Sequence, residues 1–185
     1  MRNIFTAIII LLLSSLTPVS AQTVLFQDDE LIQAAKLGDY EKIRSALTKG
    51  DNPDTANSQG VTPFIIAAKG EYIDIMELLL ENRASINWQD SLGNTALFYA
   101  VDKTAYETVA FLLENGANPN VQNDSGVAVL MTSAITGDQN IIRLLLDKNP
   151  DLTLKDYTGR SVLDYARDSR NRNVEEMLRR AGASE

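Results

Sequence analysis

The side chains here that can do chemistry near neutral pH are carboxylates, hydroxyls and lysines, because the chain has no cysteine and no histidine. That removes the thiolate nucleophile, the imidazole base, the disulfide and the Cys/His zinc site together. Glu77 and Glu81 stand four apart, a spacing that puts two carboxylates on one helix face. They flank an apolar run, so they read as the solvated side of an amphipathic helix. "DNPD" (Asp51 to Asp54) and "QNDSG" (Gln122 to Gly126) hold calcium-ligand residue types. Neither has the ligand spacing or terminal glutamate of a calcium loop. No glycine-rich phosphate loop and no nucleophile elbow occurs. Nothing converges as catalysis requires, so the expectation is no enzyme, no cofactor and no metal centre. A carboxylate-based enzyme or ion-binding protein is the weaker alternative.

Charge narrows the partners. The formal net charge is −8. Gln22 to Ser125 holds 7 Lys+Arg against 16 Asp+Glu, whereas Gly126 to Glu185 holds 9 of each. A duplex-binding domain needs a basic face, so nucleic acid is not expected. The first residues read as an address. Arg2 is followed by an apolar run from Ile4 to Leu13 and then by Val19-Ser20-Ala21. This is the order of a secretory signal peptide, and the run is too short to span a bilayer comfortably. Residues 1–21 are therefore expected to be cleaved after Ala21, with 22–27 a short N-terminal segment. An uncleaved membrane anchor is the alternative. The expected product is a periplasmic monomer with no membrane attachment after cleavage.

The remainder repeats. Gly60, Gly93, Gly126 and Gly159 are each 33 residues apart. Leu31, Phe64, Leu97, Leu130 and Leu163 keep that register, as do Ala34, Ala67, Ala100, Ser133 and Ala166. Leu79, Leu112, Leu145 and Leu178 form another column. Each unit reads as a turn, a short apolar helix, a polar break, a second apolar helix and a polar return. Thr62 can cap the first helix, with Pro63 in its first turn. Ala67 and Ala68 allow close helix approach. Ile75, Met76, Leu79 and Leu80 share one face of the second helix.

Thr62-Pro63-Phe64-Ile65-Ile66-Ala67-Ala68, Leu78-Leu79-Leu80 and Gly116-Ala117-Asn118-Pro119-Asn120 together resemble the ankyrin repeat. The resemblance implies an all-α solenoid of five helix-turn-helix units joined by β-hairpin-type loops. It covers 28–183, divided as 28–59, 60–92, 93–125, 126–158 and 159–183, with a tail at 184–185. Ser45 and Arg179 replace apolar residues of the inner units, as polar end caps require, so the array reads as complete. The usual histidine of the family motif is Ile65, Phe98, Met131 and Asp164 here, which predicts looser hairpins. The glycine between paired helices is present at Gly38 and Gly137, shifted to Gly70, and replaced by Thr104 and Arg170.

The resemblance also implies function: a non-enzymatic protein–protein interaction module that binds a partner through its concave face and hairpin tips. The family's variable positions map onto hairpin residues beside each glycine and onto the ends of the first helices. Carried over, the partner-binding candidates are Leu92, Asn94, Asp102, Lys103, Val127, Ile135, Tyr157 and Arg160, with Ser91, Asp124, Ser125 and Thr158 in the same tips; Trp88 joins them because it lies beside these positions in the second hairpin. Trp88, the sole tryptophan, stands in a turn-rich stretch where it either anchors a partner or covers the adjacent hairpin. Two roles fit: an accessory to a periplasmic enzyme or stress system, or an immunity-type inhibitor of a toxin or enzyme.

Overall fold

The computed structural model describes residues 29–184. The expected signal peptide (1–21), the segment 22–27 and the terminal Glu185 lie outside the described residues. Ten helices occur among those described: α1 (Glu30–Leu37), α2 (Tyr40–Lys49), α3 (Pro63–Gly70), α4 (Ile73–Glu81), α5 (Ala96–Asp102), α6 (Tyr106–Glu114), α7 (Val129–Thr136), α8 (Gln139–Leu146), α9 (Val162–Asp168) and α10 (Arg172–Arg180). No strand is present among them. The hairpins between helix pairs reach only the isolated antiparallel bridges Gln122–Ala128 and Lys155–Ser161.

Sequence sets where the helices start. Thr62 and Thr95 accept hydrogen bonds from the amides of Ile65 (3.4 Å) and Phe98 (3.2 Å), and Asp29 accepts from Leu31 (2.9 Å). Each satisfies a donor that the first helical turn leaves free. Ser161 opens α9 with a capping box. Its amide and hydroxyl both donate to Asp164 at 2.8 Å. Asp164, one of the four substitutes for the family histidine, thus has a local structural task.

The repeat columns become two layers. Helices α1, α3, α5, α7 and α9 pack side by side in sequence, and each packs on the helix that follows it. Small residues permit the close inner layer: Ala67, Ala100, Ser133 and Ala166 have no exposed surface. The buried hydroxyl of Ser133 donates to the carbonyl of Leu130 at 2.8 Å. The leucine column at 79, 112, 145 and 178 is likewise fully buried and joins the outer helices to the core. In α4, Leu78 is more deeply buried than the expected Leu80, which is half-buried. Ser45 and Arg179 are exposed at the two ends.

The turn between paired helices corrects the expected glycine shift. Residues 38, 71, 104, 137 and 170 all take positive φ, so the register holds without a shift. Glu71, Thr104 and Arg170 adopt φ of 59°, 55° and 55° without being glycine. Gly70 is instead the last residue of α3, and a Cβ there would lie 2.5 Å from the Tyr72 ring. Gly70 makes room for an aromatic ring; Glu71 makes the turn.

Candidate partner-binding face

The hairpins are built on one residue column. Asn57, Asp90, Asn123 and Asp156 each use Oδ1 to accept two backbone amides, those two and four residues ahead, at 2.9–3.0 Å. This closes the turn locally, which is what Asx side chains do in loops. At Asp90 and Asp156 the second carboxylate oxygen accepts a hydroxyl from nine residues on. Tyr99 donates to Asp90 and Tyr165 to Asp156, both at 2.6 Å. A cation covers each ring: Lys69 Nζ lies 4.2 Å from the Tyr99 centroid, and the Arg160 guanidinium 4.4 Å from that of Tyr165. Each hairpin thus carries its own closing bonds where the family histidine is absent. The signal was the Asx column three residues before each glycine, with tyrosine nine residues beyond each aspartate.

This geometry shifts ionisation. Burial would raise the Asp156 carboxyl, but hydrogen bonds from the Thr158 and Tyr165 hydroxyls and from the Arg160 and Thr158 amides outweigh it and hold it well below the usual range. Burial, reinforced by the bond to Asp156, pushes the Tyr165 hydroxyl up to about 12. Tyr99 is raised by burial and by its bond to Asp90.

Successive hairpins join into a crest. The amides of Ser91, Asp124 and Tyr157 donate to the carbonyls of Gln59, Leu92 and Ser125 at 2.9, 3.0 and 3.1 Å. Gln89 and Gln122 reinforce the line, donating to the carbonyls of Gln122 (3.0 Å) and Lys155 (2.9 Å) in the next hairpin.

The candidate residues sort by exposure. Leu92 (61% exposed), Ile135 (54%) and Tyr157 (75%) present large apolar surface to solvent. Asp102 and Lys103 are exposed at the end of α5, and Lys103 Nζ donates to the carbonyl of Lys69 at 2.6 Å. Arg160 is half-buried, lying over Tyr165 and paired with Asp168. Val127 is half-buried against the core. Asn94 does not project as expected: it is buried, its amide is held by Asp90, and its Oδ1 accepts from Asn123 Nδ2 at 3.0 Å. Trp88 is half-buried against the core, and its indole N–H donates to the carbonyl of Gly60 at 2.9 Å. It braces the neighbouring hairpin, where a tryptophan can satisfy its polar atom and bury its ring at once.

The carboxylates of the sequence reading stay apart. Glu77 and Glu81 are exposed on α4. Asp54 accepts the Ser85 amide at 2.8 Å, linking two return loops. Among the described residues no group of three acidic side chains could hold a metal ion, and no helix is long and apolar enough to cross a membrane.

Comparison with known proteins agrees with this architecture. The family model for ankyrin repeats in three copies matches residues 31–123 and 115–184. Human M-phase phosphoprotein 8 is 35% identical over 92 residues, covering 49% of this chain and 11% of that protein. The Mus musculus protein of the same name is 37% identical over 82 residues, 43% of this chain and 10% of its own length. The human transient receptor potential cation channel subfamily A member 1 is 30% identical over 95 residues, 48% of this chain and 8% of that protein. The chain thus spans only a small part of each relative's length. Matched over most of its length by the family model and built as paired helices joined by hairpins, the chain belongs to the ankyrin repeat family, whose repeats form protein–protein interaction modules.

Proposed function

We propose that this chain is an exported, non-enzymatic binding module of five repeat units that holds a partner protein in the periplasm. Its crest of hairpin tips and the adjoining ends of the inner helices form the contact face. The carrying observation is the exposure of Leu92, Ile135 and Tyr157 on that face, where solvent alone would favour polar residues. Trp88 supports the face from beneath. The family is typically non-enzymatic, and the carboxylates described above sit in separate turns or on solvated helix faces. Export rests on the order of residues 1–21.

Affinity capture from envelope extract with the mature protein tests the face. Leu92→Ser combined with Tyr157→Ser is expected to abolish retention of partners held by the unmodified protein, with the helical circular dichroism unchanged. Retention of the same partners by the double variant would overturn the assignment. The mass of the exported protein tests export: loss of residues 1–21 is expected, and a full-length membrane-bound product would overturn the periplasmic placement.

A further inference from the structure

The crest has its own chemical pattern. At equivalent positions of three consecutive tips stand Ser91, Asp124 and Tyr157, each donating its amide to the tip before it. The Asp124 and Tyr157 side chains both lean back over the preceding glycine. A Cβ on Gly93 would lie 2.7 Å from Asp124 Oδ1, and one on Gly126 would lie 2.6 Å from Tyr157 Cδ1. Asp124 is exposed, and no cation among the described residues pairs with it. Leu92 lies beside it, its carbonyl bonded to the Asp124 amide. The crest therefore offers an exposed leucine, an uncompensated carboxylate and then an exposed aromatic ring.

Spacing fixes what can cross it. Each hairpin has two arms, and neighbouring bonded arms lie about 4.8 Å apart, so equivalent points on successive tips are about 9–10 Å apart. A β-strand presents side chains to one face every second residue, about 6.7 Å, which misses that step. A polyproline II segment presents every third residue to one face at about 3.1 Å per residue, or about 9.3 Å, which matches it. Its carbonyls and any amides stay solvated, so it needs no sheet edge to receive it.

We propose that the crest binds a polyproline II segment carrying a lysine or arginine and, three residues away, an apolar residue or proline. The basic head pairs with the Asp124 carboxylate while its aliphatic stem lies on Leu92. The apolar residue packs on the Tyr157 ring. This rests on the crest being the contact face and adds the chemistry of what it selects.

Peptides test it against the full mature chain by fluorescence anisotropy. The probes are Pro-Pro-Lys-Pro-Pro-Leu-Pro-Pro and its reverse, since the crest does not set chain direction. One control has glutamate for lysine, and the other places lysine and leucine two residues apart. At least one probe is expected to bind about 10-fold more tightly than either control. Asp124→Lys should reverse the preference, weakening the lysine probe about 10-fold and admitting the glutamate peptide. Binding that ignores Asp124→Lys, equal binding of the two-residue control, or no binding of either probe at about 1 mM overturns the proposal. Retention of native partners lost with Leu92→Ser and Tyr157→Ser but indifferent to Asp124→Lys would overturn the chemistry while keeping the face.

Discussion

The two loop types of this array meet the same backbone demand in different surroundings. The four hairpins all place glycine at positive φ, whereas the tight turns between paired helices do so only at Gly38 and Gly137, with Glu71, Thr104 and Arg170 at the remaining positions. An L-residue in this conformation costs about 1–2 kcal/mol in either place. The surroundings decide whether that cost is tolerated. At Gly126 a Cβ would meet the backbone nitrogen and ring of Tyr157 at 2.6 Å, because the next hairpin lies on top. Glu71, Thr104 and Arg170 are exposed, so their side chains leave toward solvent and only the backbone strain remains. Glycine in the first three hairpins is thus a packing requirement set by the backbone of the next unit, whereas at Gly38 and Gly137 a Cβ would meet only side chains of the next unit, the Tyr72 ring and Asn171 Nδ2, each at 2.9 Å.

Adding a methyl group is the strongest way to break this distinction. Gly126→Ala is expected to cost roughly 3 kcal/mol or more, since strain and a backbone clash add. Gly159→Ala should cost only about 1 kcal/mol, because its Cβ would meet nothing within 4 Å. Urea unfolding of the two variants measures the gap, and equal losses would remove the role of the following hairpin.

The hairpin lock comes next. Asp156→Ala strands two amides and two hydroxyls and is expected to cost about 3 kcal/mol. Asn57→Ala, whose site lacks a tyrosine partner, should cost about half of that. The same comparison in chemical denaturation shows whether the carboxylate adds to the Asx turn that all four hairpins share.

The ionisation shifts give this lock a pH signature. The folded pKa of Asp156 is lowered, so its contribution is full above the unfolded value of about 3.9 and is lost as pH falls toward the folded value. The folded pKa of Tyr165 is raised, so its contribution is full below about 10 and is lost as pH rises toward 12. Tyr165→Phe is expected to cost about 1.5 kcal/mol at neutral pH and to remove that part of the alkaline loss. Stability measured across both flanks, with the variant beside the unmodified chain, checks the sign of each.

The smallest effect runs the other way. Arg170→Gly should gain about 0.5–1 kcal/mol by relieving left-handed strain, less the extra freedom glycine adds to the unfolded chain. A rise in melting temperature checks it. A fall would mean that the arginine side chain holds the end of the array together.

The periodic features were legible because a repeat states the same fact several times. Three columns at a 33-residue period specified paired helices, their buried faces and the hairpin glycines. The exposed Leu92, Ile135 and Tyr157 were also legible, as apolar residues in variable positions. Asn94 and Trp88 were less so. Asn94 occupies a position where the family varies and Trp88 lies beside such positions, but whether such a side chain points out or bonds inward depends on the neighbour it finds. Asn94 found Asn123, and Trp88 found the carbonyl of Gly60. The Asp–Tyr pairs recur in the 33-residue register, at 90/99 and 156/165, but register alone does not place a hydroxyl against a carboxylate.

The sequence by itself determined the repeat and the family, because residue type and period carry that information along the chain. Only the tertiary structure decided which tip residues are free to meet a partner. That choice depends on contacts between successive units: a hairpin laid over a glycine, an indole reaching a carbonyl 28 residues back. Such contacts are set by packing in space, and spacing along the chain does not contain them.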